Sequence, residues 1–541
     1  RATAATRVDE NGLVNYAEII GDEEITNGDF ATNLDSWSTS SWWVWNSLGA
    51  YHPSTSLHKP LYQQCCVIGK TYLITFDLNV VQGGAKISLG TSSGGTTQVF
   101  ATNLGTGSYS YFITASAEYL IFNRNNAGSN NEYYVNNVSV KEVTRDNLAR
   151  VDYTDGTSSL LVEPMRTNNL TASQDLTDLF WNSINVETIV ASTVLSPDGT
   201  TFGFKAIPNN TTNKHYIDYD FGFLSMPSGV EANYSVFVKP FGYTNFQLAS
   251  STSFSERYQN FELTGDGVIG TGDVNSAKIE KIGDWYRCSI TETTTGTTPR
   301  VLNVATPSSG LGRNPSFTGN GTDGVLLWGA QIEEGTYPTS YIPNLSTTSG
   351  STVTRNQDTF TRDGIGSLIG QTEGTFFIEL SKPVLNPDDF YLISLNNAAD
   401  NSDNNSVAIG FESGSDDFYL RLKAGGSIIY VDNNRNSLAD TFYKIAIAYK
   451  SGASLIYIDG SPITPNSGSL ASAFSFSETL DNLSFDYNGN NGLPFFGKVK
   501  QLQVYNTALT DMQLIQLTGT SGTDFYESYS EMAETLTYTI Q

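Results

Sequence analysis

The chain turns on residues 324–343, Gly-Val-Leu-Leu-Trp-Gly-Ala-Gln-Ile-Glu-Glu-Gly-Thr-Tyr-Pro-Thr-Ser-Tyr-Ile-Pro. A period of two predicts a β-strand over 325–333, with Leu326, Trp328, Ala330 and Ile332 on one face. Val325, Leu327, Gly329, Gln331 and Glu333 fall on the other. The first face is continuously apolar and is expected to close a sandwich core. Glu333-Glu334-Gly335 then turns the chain, and Pro338 and Pro343 cannot donate to a central ladder. This exit predicts a stiff joint that points the following sequence away from the sandwich.

Similar alternation runs upstream. Asn11-Gly12 is a hairpin-type turn between apolar flanks. Asn27-Gly28-Asp29-Phe30, Trp37 and the run Trp42-Trp43-Val44-Trp45 precede a strand with Tyr72, Ile74, Phe76 and Leu78 on one side. Further strands follow at 109–113 and 119–122, and the unit closes on 133–143. Residues 171–343 repeat the order: Asp175-Leu176 with Phe180-Trp181, then 234–240, then the closing strand 325–333. One sandwich plan used twice is the expectation.

Between these units lie Ala149-Arg150-Val151-Asp152-Tyr153 and Leu160-Leu161-Val162-Glu163-Pro164-Met165-Arg166-Thr167-Asn168, and within the second lies Asp284-Trp285-Tyr286-Arg287-Cys288. Trp328 to Glu333, Pro338 to Pro343, Val353-Thr354-Arg355 and 367–375 complete the set. Together they resemble a module recurrent in virion proteins of tailed bacteriophages. In that family the Thr6-Arg7-Val8 type of opening runs almost directly into the Arg150-x-Asp152-Tyr153 type of segment. The resemblance therefore implies that 25–143 is an inserted carbohydrate-binding-module-like jelly roll. It also implies that 1–24 packs with a second jelly roll, 144–345.

After a linker, 346–372, strands are expected at 375–380, 391–395, 407–411, 418–422, 428–431, 443–449 and 454–458. The late strand 497–506 runs into Thr507-Ala508-Leu509-Thr510-Asp511-Met512-Gln513, where Thr510 and Gln513 form a capping box. This ending resembles laminin-G-like, concanavalin-like jelly rolls and assigns them to 373–520. Tyr526, Tyr529, Met532, Ala533 and Leu536 then give 521–541 a helical spacing. Too short to be stable alone, this tail is expected to dock on its own body or on a neighbouring copy. The fold class is all-β: three tandem β-sandwich jelly rolls with a short C-terminal helix/strand tail.

Composition narrows the function. Among 541 residues, 29 Tyr, 29 Phe and 49 Gly favour many short strands. A formal charge of -26 repels polyanions, and no basic cluster offsets it, so nucleic acid is not an expected partner. No run of about 18 apolar residues exists to insert in a membrane. Cys65, Cys66 and Cys288 form no disulfide framework and suggest reduced folding. Cys65 and Cys66 are expected on opposite faces of a strand. His52 and His58 are expected in a surface loop, and three His in all argue against a zinc site.

Jelly rolls can hydrolyse glycans, which takes carboxyls about 5–5.5 Å apart in a retaining enzyme. No Glu-x-Asp-x-x-Glu occurs, and Glu333-Glu334, Asp388-Asp389 and Asp416-Asp417 are adjacent, so no catalytic residue is assigned. Trp42, Trp43 and Trp45 are candidate glycan platforms: Trp43 and Trp45 are expected on one side, Trp42 on the other, against the alternative of core and interface packing. Tyr487, Asn488 and Asn490 are further glycan candidates. Their loop and 400–405 suit sugar hydroxyls or Ca²⁺, but the same composition is standard for exposed turns. Where related modules place acidic Ca²⁺ ligands, this chain has Ala31 and Asn136, which removes two charges. No cofactor is assigned.

The expected function is that of a surface-displayed virion protein of a tailed phage, a fibre or decoration. It would be homo-oligomeric, packed with other virion proteins and in contact with host or environmental glycans. An extracellular glycan hydrolase and a ligand-free architectural component are the alternatives.

Overall fold

The computed structural model describes residues 4–39, 42–55, 57–92, 94–125, 130–219, 225–346, 348, 350–384, 391–399, 403–487 and 492–519. The expected tail 521–541 lies outside them. Among the described residues the architecture is all-β, three sandwiches and one short helix, and the chain falls into two compact units: Glu18–Leu148, and Arg1–Ala17 with Ala149–Gln541.

The unit Glu18–Leu148 faces a five-stranded sheet against a six-stranded one. In the larger sheet the order is Gly107–Thr114, Thr71–Gln82, Asn131–Thr144, Gly49–Thr55, Val44–Asn46. Ile19–Glu23 pairs with the far end of Asn131–Thr144, so these residues belong to the inserted sandwich and not, as expected, to the second. Tyr72, Ile74, Phe76 and Leu78 point inward as their alternation requires. Gly28 is obligatory where the Asn27-Gly28 turn docks, because a Cβ there would lie 1.9 Å from the Val138 carbonyl.

Two local expectations fail here. The strand Leu61–Gln64 ends before Cys65, so the cysteines are not held to opposite faces. Both are buried, with Sγ atoms 3.4 Å apart. His52 is not in a loop: it lies in Gly49–Thr55, buried and stacked on Tyr133 at 5.0 Å, and burial lowers its pKa.

In the other unit, the second sandwich opposes two six-stranded sheets, with Gly324–Glu334 between Phe202–Ala206 and Glu231–Phe241. The closing strand departs from simple alternation. Gly329 has φ +61, and a bulge shifts the register between Ser235 and Phe237 on the partner strand. Inward residues are therefore Val325 and Leu327 before the bulge, Ala330 and Ile332 after it. Leu326 and Trp328 face out instead, into a second cluster with Val8, Val14, Phe237, Ile282, Trp285 and Tyr341. Gln331 and Glu333 share that outer side and are buried by the Pro-rich exit, which folds back on the strand. Glu333 accepts from the Thr339 amide at 2.8 Å, and Gln331 Oε1 from the Ile342 amide at 2.7 Å.

The third sandwich packs two seven-stranded sheets. One of them begins with Arg150–Asp152 and Ser159–Val162, the latter paired to Gly497–Tyr505. Residues 150–162, expected in the second jelly roll, are thus strands of the third. The helix Asp511–Thr518 starts in the expected capping box, with Thr510 N–H donating to Gln513 Oε1 at 3.0 Å.

Where these parts meet, four charged side chains are buried together. Arg150 Nη1 lies 2.6 Å from Glu163 Oε2, Arg355 Nη1 lies 2.7 Å from the same oxygen, and Arg150 Nη2 pairs with Asp358. The Ser340 amide donates to Glu163 at 2.6 Å, and Arg150 donates to the Thr6 carbonyl at 3.1 Å. Arg355 and Asp358 sit within the expected linker 346–372, so part of that segment belongs to the packed interior. Lys278, 2.9 Å from Asp440, adds a bridge between the sandwiches. The exit after Gly335 therefore holds the third sandwich close; it does not point it away.

Burial pushes the Glu163 carboxyl up, but Arg355, Arg150 and the Ser340 bonds outweigh it and hold it well below the usual carboxylate range. Its folded pKa lies below the unfolded one, so its stabilisation is complete above about pH 4.3 and is lost only as pH falls through the folded value. Glu163→Ala takes from buried Arg355 its carboxylate partner and from buried Arg150 one of its two, and should cost about 3–5 kcal/mol in urea unfolding at neutral pH. A loss under about 1 kcal/mol, as for an exposed ion pair, would contradict this role.

Candidate functional site

The tryptophan run does not form one platform. Trp43 precedes the strand Val44–Asn46 and is 5% exposed, edge-on to His52 and Tyr133 at 5.0 and 5.7 Å, its indole N–H donating to the Lys59 carbonyl. Trp45 is 38% exposed and donates to the Phe30 carbonyl at 2.6 Å. Trp42 is 40% exposed with the Lys59 ammonium 5.2 Å from its ring centre. Trp43 and Trp45 do not share one open side, because regular alternation begins only at Val44.

A different aromatic surface lies on the outer face of the six-stranded sheet. Residues opposite one another in a ladder share a face. Register places Val44 opposite Tyr51, Tyr51 opposite Tyr134 and Tyr134 opposite Asn79, one rung across four strands. The Tyr51 and Tyr134 rings stack at 4.7 Å and 27°, both half-buried. Tyr51 donates its hydroxyl to Glu132 at 2.7 Å, and that bond, with burial and the carboxylate's charge, pushes the phenol up to about 12. The next rung aligns Asn136, Asp77 and Ser108. Asp77 accepts from Asn137 Nδ2 at 2.7 Å, and the Ser108 and Asn137 bonds hold its carboxyl below the usual range.

Reading the sequence for tryptophans missed this pair. Its signal was present in Tyr133-Tyr134 and Tyr51-His52, where one ring of each couple must face out of a strand. Their pairing across 83 positions is a matter of register, which the local pattern does not give.

In the third sandwich, Arg421 donates to the Tyr487 hydroxyl and lies 4.5 Å over its ring. Burial pushes the Tyr487 phenol up to about 12. Tyr487 is thus bound into an internal cluster, and Asn488 and Asn490 lie outside the described residues. In the loop 400–405, Asp403 is paired with Arg421 at 2.8 Å and Lys423 at 3.3 Å, so its own charge is already balanced; residues 400–402 lie outside the described residues. In the inserted sandwich, Asn136 Oδ1 accepts from the Asn137 amide at 2.8 Å, and the Ala31 amide donates to Asp29. Among the described residues no group of three or more His, Cys, Asp or Glu is placed to hold a metal. Of the adjacent carboxylates, Glu333 is bound to Thr339 and Asp416 to Lys382 at 3.3 Å; Asp388 and Asp389 lie outside the described residues.

Residues 385–514 match a family model described as "Concanavalin A-like lectin/glucanases superfamily", which identifies the third sandwich as laminin-G/concanavalin-like. No curated protein matches the chain. Among solved structures, the chain is similar to the Ruminococcus gnavus IT-sialidase CBM40, with 16% identity over 30% of this chain and 98% of that one, TM-score 0.24. It is also similar to the CBM22-1-CBM22-2 tandem domain of Paenibacillus barcinonensis Xyn10C, with 10% identity over 58% and 98%, TM-score 0.20. Mouse laminin alpha1 domains LG4-5 give 11% identity over 66% and 92%, TM-score 0.19. Among the described residues no helix is long and apolar enough to cross a membrane.

Removing the charge beside Tyr51 tests the geometry of the rung. Glu132→Gln should bring the Tyr51 phenol down from about 12 toward the ordinary value of about 10. Tyrosinate absorbance across a pH titration, compared with Tyr51→Phe, reads this; an unmoved titration would show that the bond is not formed.

Proposed function

We propose that the chain is a structural protein of a tailed-phage virion, carried on the particle surface as a fibre or decoration, and that its inserted sandwich makes contact with glycans. The observation that carries the glycan reading is the Tyr51–Tyr134 rung. Two rings stacked on a sheet face present an apolar surface of the kind on which the C–H side of a sugar packs. Asn79, Asn136 and the carboxylates of Glu132 and Asp77 stand beside them to meet hydroxyls. The virion reading rests on the resemblance of the motif segments.

Neither reading needs catalysis. The motif residues Arg150, Glu163, Ser340 and Arg355 are bound to one another in a joint, which is a role in assembly of the chain. Single weak glycan sites become effective when many copies are carried on one particle, which is why homo-oligomerisation and packing with other virion proteins belong to the proposal.

On a glycan array, the native protein should bind a subset of host-surface glycans, and Tyr51→Ala with Tyr134→Ala should weaken that binding at least about tenfold with the fold intact by circular dichroism. Binding that survives the double substitution would remove the face from the reading. Release of reducing ends from the bound glycan would replace it with hydrolysis. Immunogold labelling should decorate the particle surface, and particles without label would overturn the virion assignment.

A further inference from the structure

We infer that the tyrosine rung selects uncharged, hydroxyl-rich glycans and discriminates against glycans bearing uronate, sialate or sulfate groups; this rests on the glycan reading above. Charge on the face is of one sign where the rung lies. The strand residues that build the rung, 44–46, 49–55, 71–82 and 131–136, contain Glu132 and Asp77 and no Lys or Arg. Glu132 is bound to the Tyr51 hydroxyl, and Asp77 lies one rung away between Asn136 and Ser108. Both carboxylates are therefore adjacent to any sugar ring laid on the tyrosines.

Two cations on the same face, Lys141 and Arg145, lie away from the rung. Lys141 is opposite Leu73, seven positions along the strand from Tyr134, which at strand rise is roughly 20 Å. Arg145 is 2.8 Å from Glu18 and lies over the Phe112 ring at 3.9 Å. An anionic sugar on the rung would meet two like charges, and the strand residues that build the rung supply no counter-charge. A neutral sugar meets the same carboxylates as hydrogen-bond acceptors for its hydroxyls, the stronger charge-assisted kind. Asp77 keeps its charge in mild acid, since its hydrogen bonds from Ser108 and Asn137 favour the ionised form. The overall charge of -26 acts in the same direction at longer range.

The test is an array of neutral, N-acetylated, uronate-bearing, sialylated and sulfated oligosaccharides, read with the full chain at low and high salt. Neutral glycans should bind at least about tenfold more tightly than matched acidic ones. Rising salt should narrow the gap by screening, and Asp77→Asn with Glu132→Gln should narrow it further. Tyrosine-dependent binding confined to acidic glycans would overturn the selection while leaving the glycan reading in place. Binding of no glycan through the tyrosines would overturn the glycan reading itself.

Discussion

Four buried charges hold the larger unit together. Arg150, Glu163, Arg355 and Asp358 come from a strand of the third sandwich, the chain following it and the segment after the second sandwich's exit, and their partners include Thr6 and Ser340. Burying ions is costly, and the interior repays the cost only where each lone pair and N–H finds a partner. Glu163 meets that condition with two guanidinium groups, the Ser340 amide and the Ser340 hydroxyl. Because the network closes only when all the segments are in place, it fixes how the N-terminal hairpin, the second sandwich and the third are joined. An apolar contact of equal area would be less particular about register.

The bulge at Gly329 is the second constraint. Without it, Gln331 and Glu333 would enter the largely apolar core of the second sandwich. With it they turn to the outer face and bind the returning exit. The inserted sandwich has the same central arrangement, its closing strand Asn131–Thr144 flanked by Gly49–Thr55 and Thr71–Gln82. Its outer face carries half-exposed Tyr51 and Tyr134 where the second sandwich carries buried amide and carboxylate. One sandwich plan thus carries a buried joint in one copy and an aromatic outer face in the other.

Much of the strand content was legible, because alternation such as Tyr72, Ile74, Phe76, Leu78 is set by the two-residue period alone. The capping box of Thr510 and Gln513 was legible for the same local reason. Failures came where geometry is non-local. A single positive-φ glycine exchanged the faces after Trp328, and periodicity cannot see a bulge. Residues 150–162 read as part of the second jelly roll, yet their ladder partner, Gly497–Tyr505, is more than 300 positions away. Trp43 and Trp45 were assigned one face on the assumption that the strand already included Trp43. The candidate surface was the least legible part, since Tyr51 and Tyr134 become neighbours only through register.

The most direct test of the account is whether the second and third sandwiches open as one body. Native-state hydrogen exchange in rising urea, read by mass spectrometry, follows the buried strands Glu231–Phe241 and Glu373–Ser381 separately. If the buried charge network joins them as described, both strands lose their slowest protection in a single step at the same urea concentration. Two steps at well-separated concentrations would show two independent domains on a flexible linker, and would contradict the joint on which the account rests.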